Sequence, residues 1–352
     1  MKAWVLHGIN DIRFEEIAKP TLGKEEVLVK VRAAGICGSD IPRVFTTGAH
    51  VHPIVIGHEF AGEVVDAATD ELRNKWLGSK VGIFPLIPCR ECENCKSKAY
   101  EMCSNYNYLG SRCDGGFAEY AAVPAWNLLR LNDDTDLTVA AMLEPMAVAT
   151  HAMRRLLDAN ENRKQFVCVS GLGTIGLALT MFLKSEGYDN LLVIGNKDTQ
   201  KQVAISLGVE EENFCNSKKT DVGEWIAERT ASHGIDAFFE CIGNQVSVDY
   251  ALQSAAPSGA IMLVGNPASD MLLKRNDYWK ILRRQLTLKG TWNSSYTCDN
   301  NDDWHYVLDK INEGKINPTV LITHKLKLDE LDRGLDIMHN KTQEYIKIMI
   351  TD

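Results

Sequence analysis

Basic residues are under-represented in this 352-residue chain. Lys+Arg total 38 against Asp+Glu 47, a formal net charge of −9. A general nucleic-acid binder carries a basic footprint, so no nucleic-acid partner is expected. The balance still leaves room for a small anion held by a few local cations. Long apolar runs are missing too. The richest apolar stretch, residues 140–153, is interrupted by Glu144, Pro145 and His151, so it cannot span a bilayer. The apolar start, residues 1–6, meets His7-Gly8 and the charged stretch 11–16, which is too short for a secretory signal. No membrane partner and a cytoplasmic location are therefore expected. There is no internal repeat, low-complexity tract or Pro-rich linker. What remains is a chain 45% hydrophobic and 24% charged, in the range of ordinary globular proteins. Its length suits about two domains, with enough core to fold without disulfides.

The first third reads as β. Val27, Val29, Val31 and Ala33 alternate with Leu28, Lys30 and Arg32, the period of a strand. Apolar stretches at 51–56 and 81–86 predict further strands. The loop 88–108 is polar and long, so something other than a hydrophobic core must organise it. Beyond about Met146 the pattern changes. Strands are expected at 165–169, 191–194, 235–239, 260–264 and 286–288, with helices at 174–186 and 199–207. Such alternation implies a parallel sheet wrapped by helices. The tail 290–352 breaks the alternation and is expected to return to the first domain.

Ten cysteines are present, and their spacing says more than their number. Cys89, Cys92, Cys95 and Cys103 follow an x2, x2, x7 pattern within one loop. Four thiolates so spaced suit a closed tetrahedral zinc site, which staples a loop and does no Lewis-acid chemistry. An iron–sulfur cluster is the other group that four thiolates hold. A second constellation is more dispersed. Cys37 lies in Gly35-Ile36-Cys37-Gly38-Ser39-Asp40, Gly57-His58-Glu59 follows, and Glu144 stands in Leu143-Glu144-Pro145. A lone Cys or His is most often a packed residue. Glu144 is the more telling oddity, because a carboxylate among apolar residues needs a partner or a metal. Together Cys37, His58, Glu59 and Glu144 make a mixed-ligand zinc site with an open position.

Gly171-Leu172-Gly173-Thr174-Ile175-Gly176 matches G-x-G-x-x-G after a predicted strand and before a predicted helix. That setting points to a dinucleotide, its pyrophosphate at the helix N-terminus. The acid expected near the end of the second strand is absent. Gly195-Asn196-Lys197 stands there instead. Without a carboxylate to repel a 2′-phosphate, and with Lys197 as a cation, the sequence favours NADP(H) over NAD(H). The alternative is that Asp198 serves the ribose.

These motifs occur in order with Asp114-Gly115-Gly116-Phe117-Ala118-Glu119-Tyr120. As a set they resemble the zinc-dependent medium-chain dehydrogenase/reductase family over essentially the whole chain. Glu59 and Glu144 resemble its polyol dehydrogenase branch. Ser39-Asp40-Ile41-Pro42-Arg43, Gly48-Ala49-His50 and Gly110-Ser111-Arg112 resemble its sugar-alcohol phosphate dehydrogenases. Cys113 and Gly195 depart from that group, where a basic and an acidic residue are expected. The resemblance implies an α/β fold, with a Rossmann doubly wound parallel sheet (148–289) inserted into a mainly β GroES-like catalytic domain (1–147 and 290–352). It implies two zinc ions per chain, one catalytic and one structural, and an active cleft between the domains. It implies hydride transfer between a nicotinamide cofactor and a secondary alcohol/ketone pair, of the galactitol-1-phosphate/tagatose-6-phosphate type. Ser39 would relay the alcohol proton, with Pro42 where many relatives carry a relay His. Arg43, Trp292 and Asn293 would contact substrate, whereas Lys274 and Arg275 read as surface charges. A homodimer or homotetramer is implied. Alternatives are a ribulose-5-phosphate reductase-like activity, dehydrogenation of threonine, diols or free polyols, and a non-catalytic dinucleotide-binding protein.

Overall fold

The computed structural model describes residues 1–157 and 163–352. The chain forms two compact units, Met1–Pro145 with Ser294–Asp309 and Pro318–Asp352, and Met146–Asn293 with Lys310–Asn317. The division falls a few residues from the expected one, and residues 310–317 join the second unit. There Lys310 pairs with Glu186, and Ile316 is buried.

The first unit is mainly β. Its largest sheet runs Leu128–Arg130, Lys80–Ile83, Glu59–Ala67, Glu26–Ile36, Lys347–Thr351, Ile322–Lys327, with Tyr120–Pro124 also paired to Glu26–Ile36. The alternating residues of Glu26–Ile36 bury Val27, Val29 and Val31 in one core with Phe60, Val64 and Ile348. The tail thus returns to the first unit as a strand beside that central one. Two expected strands are shorter than their apolar stretches, at Ile54–Val55 and at Lys80–Ile83 followed by Leu86–Ile87. Pro53 and Pro85 lack the N–H that a ladder needs. The cysteine loop contains a short helix at Glu93–Lys96 and a 3-10 turn at Tyr100–Met102.

The second unit is a six-stranded, all-parallel sheet. Its order is Phe214–Asn216, Leu191–Gly195, Val167–Ser170, Ile235–Glu240, Ala255–Leu263, Thr287–Gly290. Counted along the chain this is 3-2-1-4-5-6, the Rossmann arrangement, with a switch point beside the first strand. Near-continuous apolar strands suit a sheet covered on both faces. Cys168, Leu192, Ile194, Phe238 and Ile261 are accordingly buried in its core.

Candidate active site

Strand register assembles the first cluster. In the large sheet Gly35 lies opposite Glu59 and Ile36 opposite Ile348. Cys37, just past one strand, therefore meets His58 and Glu59, at the start of another. The candidate ligand atoms of these three residues lie within 4.8 Å of one another. His58 and Glu59 are buried. A Cβ at Gly35 would sit 2.3 Å from Glu59 Oε2, so only glycine leaves room for that carboxylate.

Three further groups hold the cluster, and sequence reasoning assigned a role to none of them. Asp40, fully buried, accepts the Cys37 backbone N–H at 3.0 Å and lies 3.6 Å from His58 Nδ1. A carboxylate behind a ligating imidazole sets its tautomer and orientation. Lys347, also buried, forms an ion pair with Glu59 and donates to the Ile36 carbonyl at 3.1 Å. Tyr108 donates its hydroxyl to Glu144 Oε1 at 3.3 Å, and its ring stands edge-on to His58 at 5.8 Å. Asp40 was legible one turn beyond Cys37. Lys347 had no local signal.

The charges around His58 favour its protonated form. Burial alone would lower the His58 pKa, but Asp40 and Cys37 outweigh it and hold the imidazole well above its usual value. Burial raises the Glu144 carboxyl to about 7, with Glu59 adding and His58 and Lys347 opposing. Glu144 stands in the first turn of the helix Leu143–Leu156. A thiolate, an imidazole and buried carboxylates are the donors that zinc takes, so these residues fit the ion. Ser39 is exposed at the N-cap of Asp40–Phe45, and its hydroxyl makes no capping bond.

The cysteine loop fits a closed site. Cys89 and Cys95 sulfurs are 3.9 Å apart, and those of Cys92 and Cys103 are 4.0 Å apart. A tetrahedron with Zn–S bonds of about 2.3 Å has edges of about 3.8 Å. Without an ion the thiols cannot all ionise together. Backbone N–H groups of Ser104 and Cys95 pull Cys92 down to about 5, while burial and neighbouring thiols push Cys95 up to about 12.

In the second unit the glycine turn follows the strand Val167–Ser170 and opens the helix Thr174–Ser185. Gly173 is its N-cap, with no side chain over the first turn. Leu172 is buried and Ile175 half-buried. A Cβ at Gly176 would fall 1.9 Å from the Gly171 carbonyl oxygen, which is why helix and turn approach so closely. Gly195 ends the second strand and Asn196 is exposed, its N–H bonded to Gln200 Oε1 at 2.9 Å. Lys197 caps the helix Asp198–Ser206.

The candidate substrate residues are scattered. Arg43 donates to Asp40 and reaches Ser111 Oγ at 3.4 Å. Trp292 and Asn293 belong to the second unit, whereas the Cys37 cluster lies in the first. Trp292 is 55% exposed and Asn293 has a left-handed φ of 55°. Lys274 is paired with Asp249 at 2.6 Å and Arg275 lies over Trp279, as surface charges do.

Comparison with known proteins agrees with this geometry. Residues 23–133 match the model of the alcohol dehydrogenase GroES-like domain, and residues 174–313 that of the zinc-binding dehydrogenases. The chain is 32% identical over 342 residues to galactitol 1-phosphate 5-dehydrogenase of Escherichia coli (strain K12), covering 97% of each. It is 29% identical to a sorbitol dehydrogenase of Halalkalibacterium halodurans, covering 100% of this chain and 99% of that one. The crystal structure of galactitol-1-phosphate dehydrogenase from Escherichia coli superimposes with a TM-score of 0.90, at 29% identity and full coverage of both chains.

Proposed function

The chain belongs to the zinc-binding medium-chain dehydrogenase/reductase family, and from that premise we propose that it interconverts a sugar-alcohol phosphate and the corresponding ketose phosphate. The observation that carries this reading is the Cys37–His58–Glu59 cluster, its imidazole and carboxylate buried, with Glu144 close enough to feel the charges of both. Zinc in that donor set would supply Lewis acidity toward a substrate oxygen, and a bound nicotinamide cofactor would supply the hydride chemistry. Cys37, His58 and Glu59 hold the ion, and Glu144 completes the set directly or through a water. Asp40, 3.6 Å from His58 Nδ1, acts on the ring through its charge. Ser39 Oγ would relay the proton of the substrate hydroxyl, taking it up as its own proton passes on. With Pro42 three residues on, that proton leaves by a route other than an adjacent imidazole. Cys89, Cys92, Cys95 and Cys103 hold a second, structural zinc.

The turn Gly171–Leu172–Gly173–Thr174–Ile175–Gly176 binds the dinucleotide pyrophosphate. Gly195, Asn196 and Lys197 meet the adenosine ribose and favour NADP(H). Ser217, whose N–H and hydroxyl both bond the Gly195 carbonyl at 2.9 and 3.2 Å, supports a firm turn there. A homo-oligomer is part of this reading. All four residues of the edge strand Thr287–Gly290 are exposed, beside exposed Leu263, Leu272 and Leu273, and an uncovered apolar edge invites a second copy. All ten cysteines are unpaired, which suits a reducing cytoplasm. No helix among the described residues is long and apolar enough to cross a membrane.

The test is a panel of polyols, polyol phosphates, threonine and diols, each with NAD(H) and NADP(H), with zinc counted per chain. Fastest turnover on a polyol phosphate and two zinc ions are expected. Turnover confined to threonine or a diol overturns the substrate, and a chain that retains one zinc and oxidises nothing overturns the enzyme.

A further inference from the structure

Several arginines and lysines of this chain face a carboxylate, as Arg13, Arg73, Lys201 and Arg229 do. Arg112 does not. Among the described residues no carboxylate pairs with its guanidinium, which lies 4.7 Å over the Tyr106 ring. Tyr106 contacts Tyr108, ring centroids 6.3 Å apart, and Tyr108 in turn bonds Glu144 and abuts His58. A short chain of aromatic contacts therefore runs from the metal cluster to an unpaired cation. A second chain reaches the same place. His58 lies 3.6 Å from Asp40, Asp40 binds Arg43, and Arg43 Nη2 is 3.4 Å from Ser111, the neighbour of Arg112 in sequence. His50, exposed on the loop after the helix Asp40–Phe45, feels the charge of both guanidinium groups. Partial burial, then Arg112 and Arg43, push its pKa below the ordinary imidazole value.

Two guanidinium groups and an imidazole gathered with one carboxylate, already engaged by Arg43, leave positive potential unanswered. Charges of one sign brought together raise the local potential and attract a counter-ion. The guanidinium fork matches phosphate oxygens two at a time, and the Tyr106 face holds Arg112 in place at little further entropic cost. A seated dianion would also relieve the mutual repulsion that His50 feels. We propose that Arg112 and His50, with Arg43, form a phosphate-monoester subsite on the wall of the metal cluster, and that this subsite selects phosphorylated polyols. The proposal rests on the polyol dehydrogenase reading for its substrate, but not for its anion.

Two measurements on the full-length, zinc-loaded protein keep these apart. Inorganic phosphate is titrated into wild type, Arg112→Ala, Arg112→Lys and His50→Ala by calorimetry, with zinc per chain confirming the folded site. Loss of one charge-assisted contact is expected to weaken phosphate binding roughly 10- to 100-fold in Arg112→Ala, with partial recovery in Arg112→Lys and a smaller loss in His50→Ala. No binding to wild type overturns the subsite. So does binding that Arg112→Ala leaves unaltered, because that phosphate sits on the metal. In parallel, KM for a six-carbon polyol 1-phosphate is expected to rise by a similar factor in Arg112→Ala. A fall in kcat at constant KM would refute the assignment. A wild type that binds phosphate yet oxidises no polyol would sink the reaction and leave the subsite standing.

Discussion

Replacing Lys347 by Met tests whether the cluster is held as described. Lys347 is 2% exposed and its partner Glu59 1%. The ammonium also donates to the Ile36 carbonyl. Met matches its length and removes the charge. Glu59 is then a buried carboxylate without its counter-ion, and Glu144 nearby makes its position worse. Breaking one side of a buried ion pair costs about 3–5 kcal/mol. In a unit of this size each kcal/mol lowers Tm by about 2–4 °C. Metal-free Lys347→Met is therefore expected to unfold roughly 6–20 °C below metal-free wild type. Zinc should shrink the gap, because a cation among Cys37, His58 and Glu59 takes over part of the neutralisation. The assay is thermal unfolding by circular dichroism, on stripped and zinc-loaded protein. A stripped variant that unfolds within about 2 °C of stripped wild type falls well short of the shift that loss of a buried counter-ion demands. In that event Lys347 does not neutralise Glu59 and the reasoning fails.

Cys95→Ser should lower zinc from two ions per chain to one and expose the loop 88–108 to limited proteolysis; two retained ions would separate that loop from metal binding. Ser39→Ala is expected to reduce turnover by about 100-fold, the low end for a positioned proton acceptor, with zinc content unchanged, and normal turnover would remove Ser39 from the relay. Gly195→Asp should invert the cofactor preference toward NAD(H), measured as the ratio of kcat/KM values. A Cβ there meets Gln200 Oε1 at 2.8 Å and side-chain atoms of Phe214 and Leu172 at 3.1 and 3.2 Å, so these side chains must give way, thermal unfolding checks that the variant folds, and an unaltered ratio in the folded variant would refute the role of Gly195.

Much of the fold was legible because it is written in local periodicity. The apolar strands at 191–194 and 235–239, the glycine turn and the helix after it each declare themselves within a dozen residues. The observed Leu191–Gly195, Ile235–Glu240 and Thr174–Ser185 follow them closely. Prolines were misjudged where an apolar stretch masked them, at Pro53 and Pro85. The second unit's share of 310–317 was invisible for another reason. Its contacts include the Lys310–Glu186 pair, which joins distant segments and leaves no periodic trace.

The candidate site divides along the same line. The dispersed Cys37, His58, Glu59 and Glu144 say little by spacing and take their reading as ligands from the family resemblance, whereas residue chemistry and spacing singled out the four-cysteine loop, the G-x-G-x-x-G turn and the missing acid at Gly195. Those signals are local, because a metal loop or phosphate turn is built from neighbours along the chain. Tertiary structure decided which charges meet. It set Lys347 against Glu59 across a separation of 288 residues, placed Asp40 behind His58, and engaged Arg43 on that carboxylate. Among the described residues it also paired no carboxylate with Arg112, which lies over Tyr106. Burial and pairing determine what a charged side chain does, and both arise only when strands distant in sequence come into register.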